Sequence, residues 1–230
     1  MISEKSFVKN LNGINKEILG IQKKTKQVAN KIRIIAVTKK FDIRSWKLAS
    51  EYSLDIGESR VQEASQKERL FQPKTEKHLI GHLQRNKVSK AIEIFDVIQT
   101  IDSLRLAKEV NKKVQTKKQQ QRVFLQININ EEKQKTGFKK NQLFTNMEEI
   151  STFKFLKIEG IMCLPKKNLS TRLLRSSFSE AKKIRDEIKK KWFPGCMYLS
   201  MGMSSDYIDA IKEGATHIRI GTSLFGSRIE

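Results

Sequence analysis

Short runs of β-branched and apolar residues recur along the chain, separated by longer stretches in which apolar positions return every three or four residues. The runs at 32–38 (IRIIAVT), 54–57, 78–81, 97–100, 123–129 (VFLQINI), 158–164, 197–200 and 217–221 predict eight strands. A long opening helix is predicted over 4–30, and further helices over 44–52, 61–70, 85–95, 103–113, 140–151, 171–191 and 205–213. Strict strand-then-helix alternation demands a parallel sheet with helical crossovers. Eight such units in 230 residues fit a (β/α)8 TIM-type barrel. The rival is a doubly wound sheet, whose glycine-rich dinucleotide fingerprint would follow the first strand. The chain has Lys39-Lys40-Phe41-Asp42 there, with no glycine. The expected fold is therefore α/β: one domain over 1–230, with an extra N-terminal helix over 1–31 and a barrel over 32–228.

Composition narrows the setting. With 38% hydrophobic and 31% charged residues the chain can build a core, which argues against disorder. No apolar stretch approaches the ~20 residues needed to span a bilayer. The opening MISEKSFVKN lacks the apolar centre of a signal peptide, so no membrane partner and a cytoplasmic location are expected. Cys163 and Cys196 form no CxxC pair; they read as small core residues, neither a disulfide framework nor a zinc ribbon. No histidine pair has metal-ligand spacing with a carboxylate, and no metal is expected.

The net charge of +21 raises nucleic-acid binding as a possibility. However, 34 of the 46 basic residues are lysines, scattered over nearly every predicted helix, and aromatics make up only 7%. The local concentrations at 112–122 and 189–191 fall on helix ends or loops. Nucleic-acid readers rely on arginine forks and stacking platforms. Solvated lysine faces account for the charge, and no specific nucleic-acid partner is expected. Mutual repulsion between such chains favours a monomer.

In barrels of this kind the site lies at the C-terminal ends of the strands, and phosphate is often held after strands seven and eight. Three features fall there. Lys39 ends the first strand, where an amine whose charged form is disfavoured by desolvation can attack a carbonyl. The seventh strand runs into Leu199-Ser200-Met201-Gly202-Met203-Ser204-Ser205-Asp206, where Ser204 or Ser205 either caps the next helix or helps it receive a phosphate. The eighth ends in Arg219-Ile220-Gly221-Thr222, with a bare backbone N–H at Gly221, a hydroxyl at Thr222 and an arginine facing the same way as Gly221. An arginine in a barrel mouth is costly unless it meets a ligand or a carboxylate. An aldehyde-reactive lysine opposite a phosphate nest suggests a phosphorylated aldehyde, of which pyridoxal 5'-phosphate (PLP) is the common one.

Ordered blocks carry a resemblance over about 34–228: AVTK (36–39), IGESRVQE (56–63), HLIGHLQRNK (78–87), QTIDS (99–103), QININEEKQKTGF (126–138), GIMCLP (160–165), LSMGMSSD (199–206) and IRIGTSLFGSR (218–228). The chain resembles the pyridoxal phosphate homeostasis, or PLP-binding, protein family, relatives of the alanine-racemase-type barrel of fold type III. The resemblance implies that Lys39, not Lys40, holds PLP as a Schiff base. It also implies that Ser204, Gly221 and Thr222 bind the phosphate with Ser200 nearby, and that Arg219 faces the pyridine nitrogen. The second block departs from the family's GEN: Ser59 stands where asparagine is usual, which puts any contact from that position in question. His82, in the turn after the third strand, is a further lining candidate, and Lys135 and Gly137 are placed to lid the site. His217 is expected at the rim of the eighth strand.

The same resemblance implies a carrier more than an enzyme. The related racemases complete their site with a β-rich second domain that supplies a tyrosine base, whereas this chain stops at Glu230 and Tyr52, Tyr198 and Tyr207 offer no evident replacement. A cationic Arg219 beside the ring nitrogen discourages its protonation and weakens the electron sink. The expectation is a PLP homeostasis protein without a catalytic acid/base pair, with apo-PLP enzymes as recipients. The alternative is a low-activity, racemase-like PLP enzyme acting on amino acids.

Overall fold

A computed structural model describes residues 2–25, 31–116 and 119–227. The predicted extension of the first helix over 26–30, the lysines at 117–118 and residues 228–230, of which 228 closes the last block, lie outside the described residues.

Eight parallel strands, β1 (Arg33–Val37), β2 (Asp55–Glu58), β3 (Lys77–Leu79), β4 (Val97–Ile101), β5 (Gln121–Ile127), β6 (Leu156–Cys163), β7 (Tyr198–Met203) and β8 (His217–Ile220), form a closed barrel in chain order. Ile35 of β1 sits opposite both Asp55 of β2 and Arg219 of β8, which closes the ring. The expected (β/α)8 barrel is the observed one. The strands are buried on both faces, so they read as continuous apolar runs instead of alternating ones.

The outward faces carry the main core. Ile34, Ala36, Ile56, Leu79 and Ile98 pack under α2 (Ile43–Glu51), α3 (Val61–Leu70), α4 (Val88–Ile94), α5 (Leu104–Gln115), α6 (Lys140–Ser151), α7 (Thr171–Lys191) and α8 (Tyr207–Lys212). The opening helix, here α1 (Glu4–Lys24), lies outside the barrel. Ser3 caps it by accepting from the Ser6 N–H at 3.2 Å. Phe7, Leu11, Ile14, Ile18 and Ile21, spaced three and four apart, form its buried stripe. That stripe supports α9 (Thr222–Phe225), with the Phe7 ring 5.4 Å from Phe225 and the Asn10 amide donating to the Leu224 carbonyl at 3.1 Å.

The inward faces hold a small apolar plug of Val97, Phe124 and Met162, with Leu164 and Tyr198 against it. Below the plug, at the strand starts, lies an ion-pair belt. Arg33 pairs with Asp55 (2.9 Å) and Glu76 (3.1 Å), and Arg122 pairs with Glu76 (2.5 Å) and Glu159 (2.8 Å). His217 belongs to this interior and not to the rim: it is buried against Tyr198 (5.0 Å between ring centres) and Phe124 (5.5 Å). As the first residue of β8 it enters the barrel from the floor, opposite the mouth. Among the described residues no helix is long and apolar enough to cross a membrane.

The end of β7 and the start of α8 also differ from the sequence pattern. β7 continues three residues beyond Ser200 because Gly202 takes φ of +92°, and its pairing with β8 shifts register between Ser200 and Met203. A Cβ at Gly202 would stand 2.7 Å from the Ala210 Cβ, so this tight passage requires glycine. Neither Ser204 nor Ser205 caps the helix that follows. α8 begins at Tyr207 with Asp206 as its N-cap, and the Asp206 carboxylate turns back to accept from the Met203 N–H at 2.5 Å.

Candidate functional site

The C-terminal strand ends enclose a cavity of about 350 Å3, within the range of small-ligand sites. β1 contributes Val37 and, just past its end, Lys39; Ser59 follows β2, Ile80 follows β3 and Leu164 follows β6. The β7 end supplies Met203, Ser204 and Ser205, and the β8 side Arg219, Gly221 and Thr222. Six of the residues singled out from sequence, Lys39, Ser59, Ser204, Arg219, Gly221 and Thr222, are thus brought to one cavity. Ser59 is held there by a close approach: a Cβ on Gly81 would fall 2.2 Å from the Ser59 carbonyl oxygen.

The β8 side is built to receive an anion. The N–H groups of Gly221 and Ser223 both donate to the Ser204 hydroxyl oxygen, each at 3.3 Å. Two backbone donors converging on one oxygen at a turn make the concave N–H arrangement that binds phosphate and carboxylate groups. Ser204 therefore serves this cradle in place of the helix cap that its sequence position suggests.

Arg219 forms the cavity's inner wall and is 4% exposed. Its guanidinium donates to Ser200 Oγ at 2.7 Å and to the Cys163 carbonyl at 3.0 Å. Among the described residues no carboxylate lies within ion-pairing distance of it. Burial pulls it below the ordinary arginine range, with Cys163 and Asp206 acting the other way. Burial also pushes the Cys163 thiol up to about 12, which makes it a packing residue and not a nucleophile.

Ser200 does not line the cavity; it lies fully buried beneath Arg219. The hydrogen-bond chain it belongs to has one consistent direction. A guanidinium only donates, so Ser200 accepts from Arg219 and gives its single proton to Gln99 Oε1 at 2.6 Å. The Gln99 amide nitrogen then faces His78 Nδ1 at 2.9 Å, which leaves the ring proton on Nε2. Arg219 is thereby fixed through the barrel down to the ion-pair belt, where His78 Nε2 stands 3.5 Å from Glu76 and 3.8 Å from Asp55. Sequence reasoning did not single out Gln99, and it placed His78 only as a strand start; residues 78, 99 and 200 meet only when the barrel closes. Asp55, Glu76 and His78 also offer ligand atoms within 4.8 Å of one another. Both carboxylates already pair with arginines, so a cation there would face the Arg33 and Arg122 guanidiniums.

His82 lies outside the inner cavity. It borders an adjoining chamber of about 720 Å3 that shares Lys39, Ser59, Ile80 and Leu164 and adds Arg60, Gln84, Lys87, Gln126 and Thr136. Its ring is half exposed, with Nδ1 2.8 Å from Asp102. In the loop after β5, Thr136 lines this outer chamber, while Lys135 is turned to the Pro165 carbonyl (2.9 Å) and Glu132 (2.5 Å). The tyrosines stand elsewhere. Tyr52 bonds Glu4 at 2.9 Å, Tyr207 bonds Glu17, and Tyr198 packs in the barrel plug.

Residues 19–229 match the family model described as alanine racemase, N-terminal domain. The Haemophilus influenzae pyridoxal phosphate homeostasis protein is 32% identical, covering 95% of this chain and 94% of that protein. The Synechocystis protein of the same name is 35% identical, covering 86% of this chain and 92% of that protein. Among solved structures, PipY of Synechococcus elongatus with PLP bound superposes with a TM-score of 0.85 at 29% identity, covering 96% of this chain and all of that one. An alanine racemase from Clostridium difficile shares the fold at a TM-score of 0.79 and 16% identity, covering 98% of this chain and 61% of that one. The chain therefore belongs to the pyridoxal phosphate homeostasis protein family, built on the alanine racemase N-terminal domain fold.

Proposed function

We propose that the inner cavity binds pyridoxal 5'-phosphate, held as a Schiff base on Lys39, and that the protein serves PLP homeostasis by carrying this aldehyde reversibly in the cytoplasm. The observation that carries the reading is the meeting of three unlike groups in one cavity: the Lys39 side chain, the Gly221–Ser223 N–H cradle and the buried Arg219. Each fits a different part of the cofactor. The cradle donors already share one oxygen atom, and a phosphate oxygen would take the same N–H groups. Arg219, unable to act as an acceptor, has donors left over for an unprotonated ring nitrogen. Bound there, PLP supplies an aldehyde carbon that condenses with amines and a ring that draws electrons from the product.

The chain's own residues favour holding over turnover. Among the described residues, Lys39 and Arg219 are the only titratable side chains lining the inner cavity, and none of the others there could take a proton from a substrate carbon. A permanently protonated Arg219 at the ring nitrogen keeps that nitrogen unprotonated. The barrel and α1 act as one monomeric PLP-binding unit over 1–230, with apo-PLP enzymes as recipients. The competing reading, a slow PLP enzyme acting on amino acids, rests on His82, which Asp102 orients at the edge of the outer chamber.

Two measurements separate these. PLP titrated into the protein should give the visible absorption of a Schiff base, and Lys39→Ala should abolish it. The loaded protein, incubated with single-enantiomer amino acids, should leave their handedness unchanged; conversion to the mirror form would overturn the carrier reading.

A further inference from the structure

Lys39 and Lys40 are adjacent, yet they face different spaces. Lys39 lines the inner cavity, whereas Lys40 is exposed and lines a separate cleft with Ile2, Phe41, Asp42 and Phe225. Behind the end of β1 lies a buried ion cluster. The Lys67 ammonium, on α3, spends its three protons on Glu58 Oε1 (2.7 Å), the Thr38 carbonyl (2.8 Å) and Glu63 Oε1 (2.8 Å). Glu58, wholly buried, also accepts from the Thr38 hydroxyl at 2.6 Å and the Trp46 indole N–H at 2.9 Å. Glu63 accepts from the Lys40 backbone N–H at 2.6 Å.

These contacts bracket one residue. The peptide before Lys39 is held through the Thr38 carbonyl and hydroxyl, and the peptide after it through the Lys40 N–H. Both restraints converge on the same ammonium. Lys40 takes φ of +61°, a conformation that a residue with a side chain adopts at a cost and that needs such support. We propose that Lys67, acting with Glu58 and Glu63, is the positioning residue that turns Lys39 into the cavity and Lys40 out of it, and so selects which of the two lysines carries the aldehyde. This rests on the reading of the inner cavity as the PLP site. It adds to that reading a function for the glutamates at the two ends of 58–63 and for a lysine that does not line the cavity.

The test maps the adduct after borohydride reduction of PLP-loaded protein, using peptide mass analysis, and measures the rate of PLP release alongside. Wild type should carry its adduct on Lys39. Glu63→Ala should lower the Lys39-to-Lys40 adduct ratio and speed release, each by about tenfold or more, since small misplacements of a reacting group cost large factors. Glu63→Gln keeps an oxygen acceptor for the Lys40 N–H and should retain the wild-type ratio. Lys67→Met should behave like Glu63→Ala. Because it strands Glu58, the double change Glu58→Gln with Lys67→Met serves where the single one does not fold. A merely structural cluster would lower the melting temperature and leave the adduct ratio alone. Folded variants whose ratio and release rate stay within about twofold of wild type overturn the proposal. Absence of any adduct on Lys39 or Lys40 in wild type would instead overturn the PLP reading on which it stands.

Discussion

Arg219 is the residue whose place in the barrel is hardest to justify without a ligand, and Arg219→Met tests that directly. Methionine keeps a long unbranched stem and removes the charge. In the apoprotein the change deletes hydrogen bonds to Ser200 Oγ and the Cys163 carbonyl. Hydrogen bonds to charged groups contribute about 1.5–3 kcal/mol each. Against that loss, the variant relieves a buried cation that has no carboxylate partner among the described residues, a desolvation penalty on the order of several kcal/mol. The two effects nearly offset, so apo Arg219→Met should unfold in urea within about 1 kcal/mol of wild type. In the loaded protein a further charge-assisted bond of about 2 kcal/mol is missing, which at about 1.4 kcal/mol per decade raises the PLP Kd roughly 30-fold. Urea unfolding of both proteins, with and without saturating PLP, together with a PLP titration, gives all the quantities needed. An apo variant weakened by more than about 3 kcal/mol, with a PLP Kd changed less than about twofold, would make Arg219 a structural staple and refute the argument.

Three other outcomes follow from named contacts. Ser204→Ala removes a hydroxyl that stands beside the Gly221 and Ser223 N–H groups and can donate its own proton to a phosphate held there; it should weaken PLP about tenfold and leave pyridoxal, which lacks the phosphate, unchanged in parallel titrations. Gly202→Ala places a Cβ at φ of +92° and 2.7 Å from the Ala210 Cβ, and should cost about 1–3 kcal/mol in urea unfolding while weakening PLP through the displaced Ser204. Burial, aided by His78 and Arg33, holds the His217 imidazole well below its ordinary 6.5, so the unfolded chain binds the proton first. Its contribution is complete above about pH 6.5 and is lost as pH falls, by up to about 1.4 kcal/mol per unit. His217→Phe should flatten that slope between pH 5 and 7. Subtracting the two curves removes the opposite-signed effect of Asp55, Glu58 and Asp206, which burial raises in both proteins.

The barrel was legible because each strand, buried on both faces, stands out as an apolar run between helices of different period. Lys39 and Gly221 were legible for a related reason: in this architecture strand ends converge, so position along a strand already gives position in the site. The interior connections were not. Ser200 reads as one more small polar residue at a strand end, and its bond to Gln99 spans 101 positions that only barrel closure brings together. His217 was misplaced because a polar residue at a strand start suggests a rim, while the barrel floor here is itself ionic. The α9 turn, four residues long, is too short for periodicity to reveal, although it supplies the Ser223 N–H. The Lys67 cluster was hidden for the opposite reason: in a chain with 34 lysines, a buried one looks like all the others.

The central claim is that one amine and one N–H cradle grip the two ends of the same cofactor. A crystal structure of the protein grown with PLP tests it most directly. The expected result is continuous density from Lys39 Nζ to the cofactor, the phosphate on the Gly221 and Ser223 N–H groups, and the ring nitrogen within hydrogen-bonding distance of Arg219. Density joined to any other lysine, or a phosphate seated away from that cradle, would contradict it.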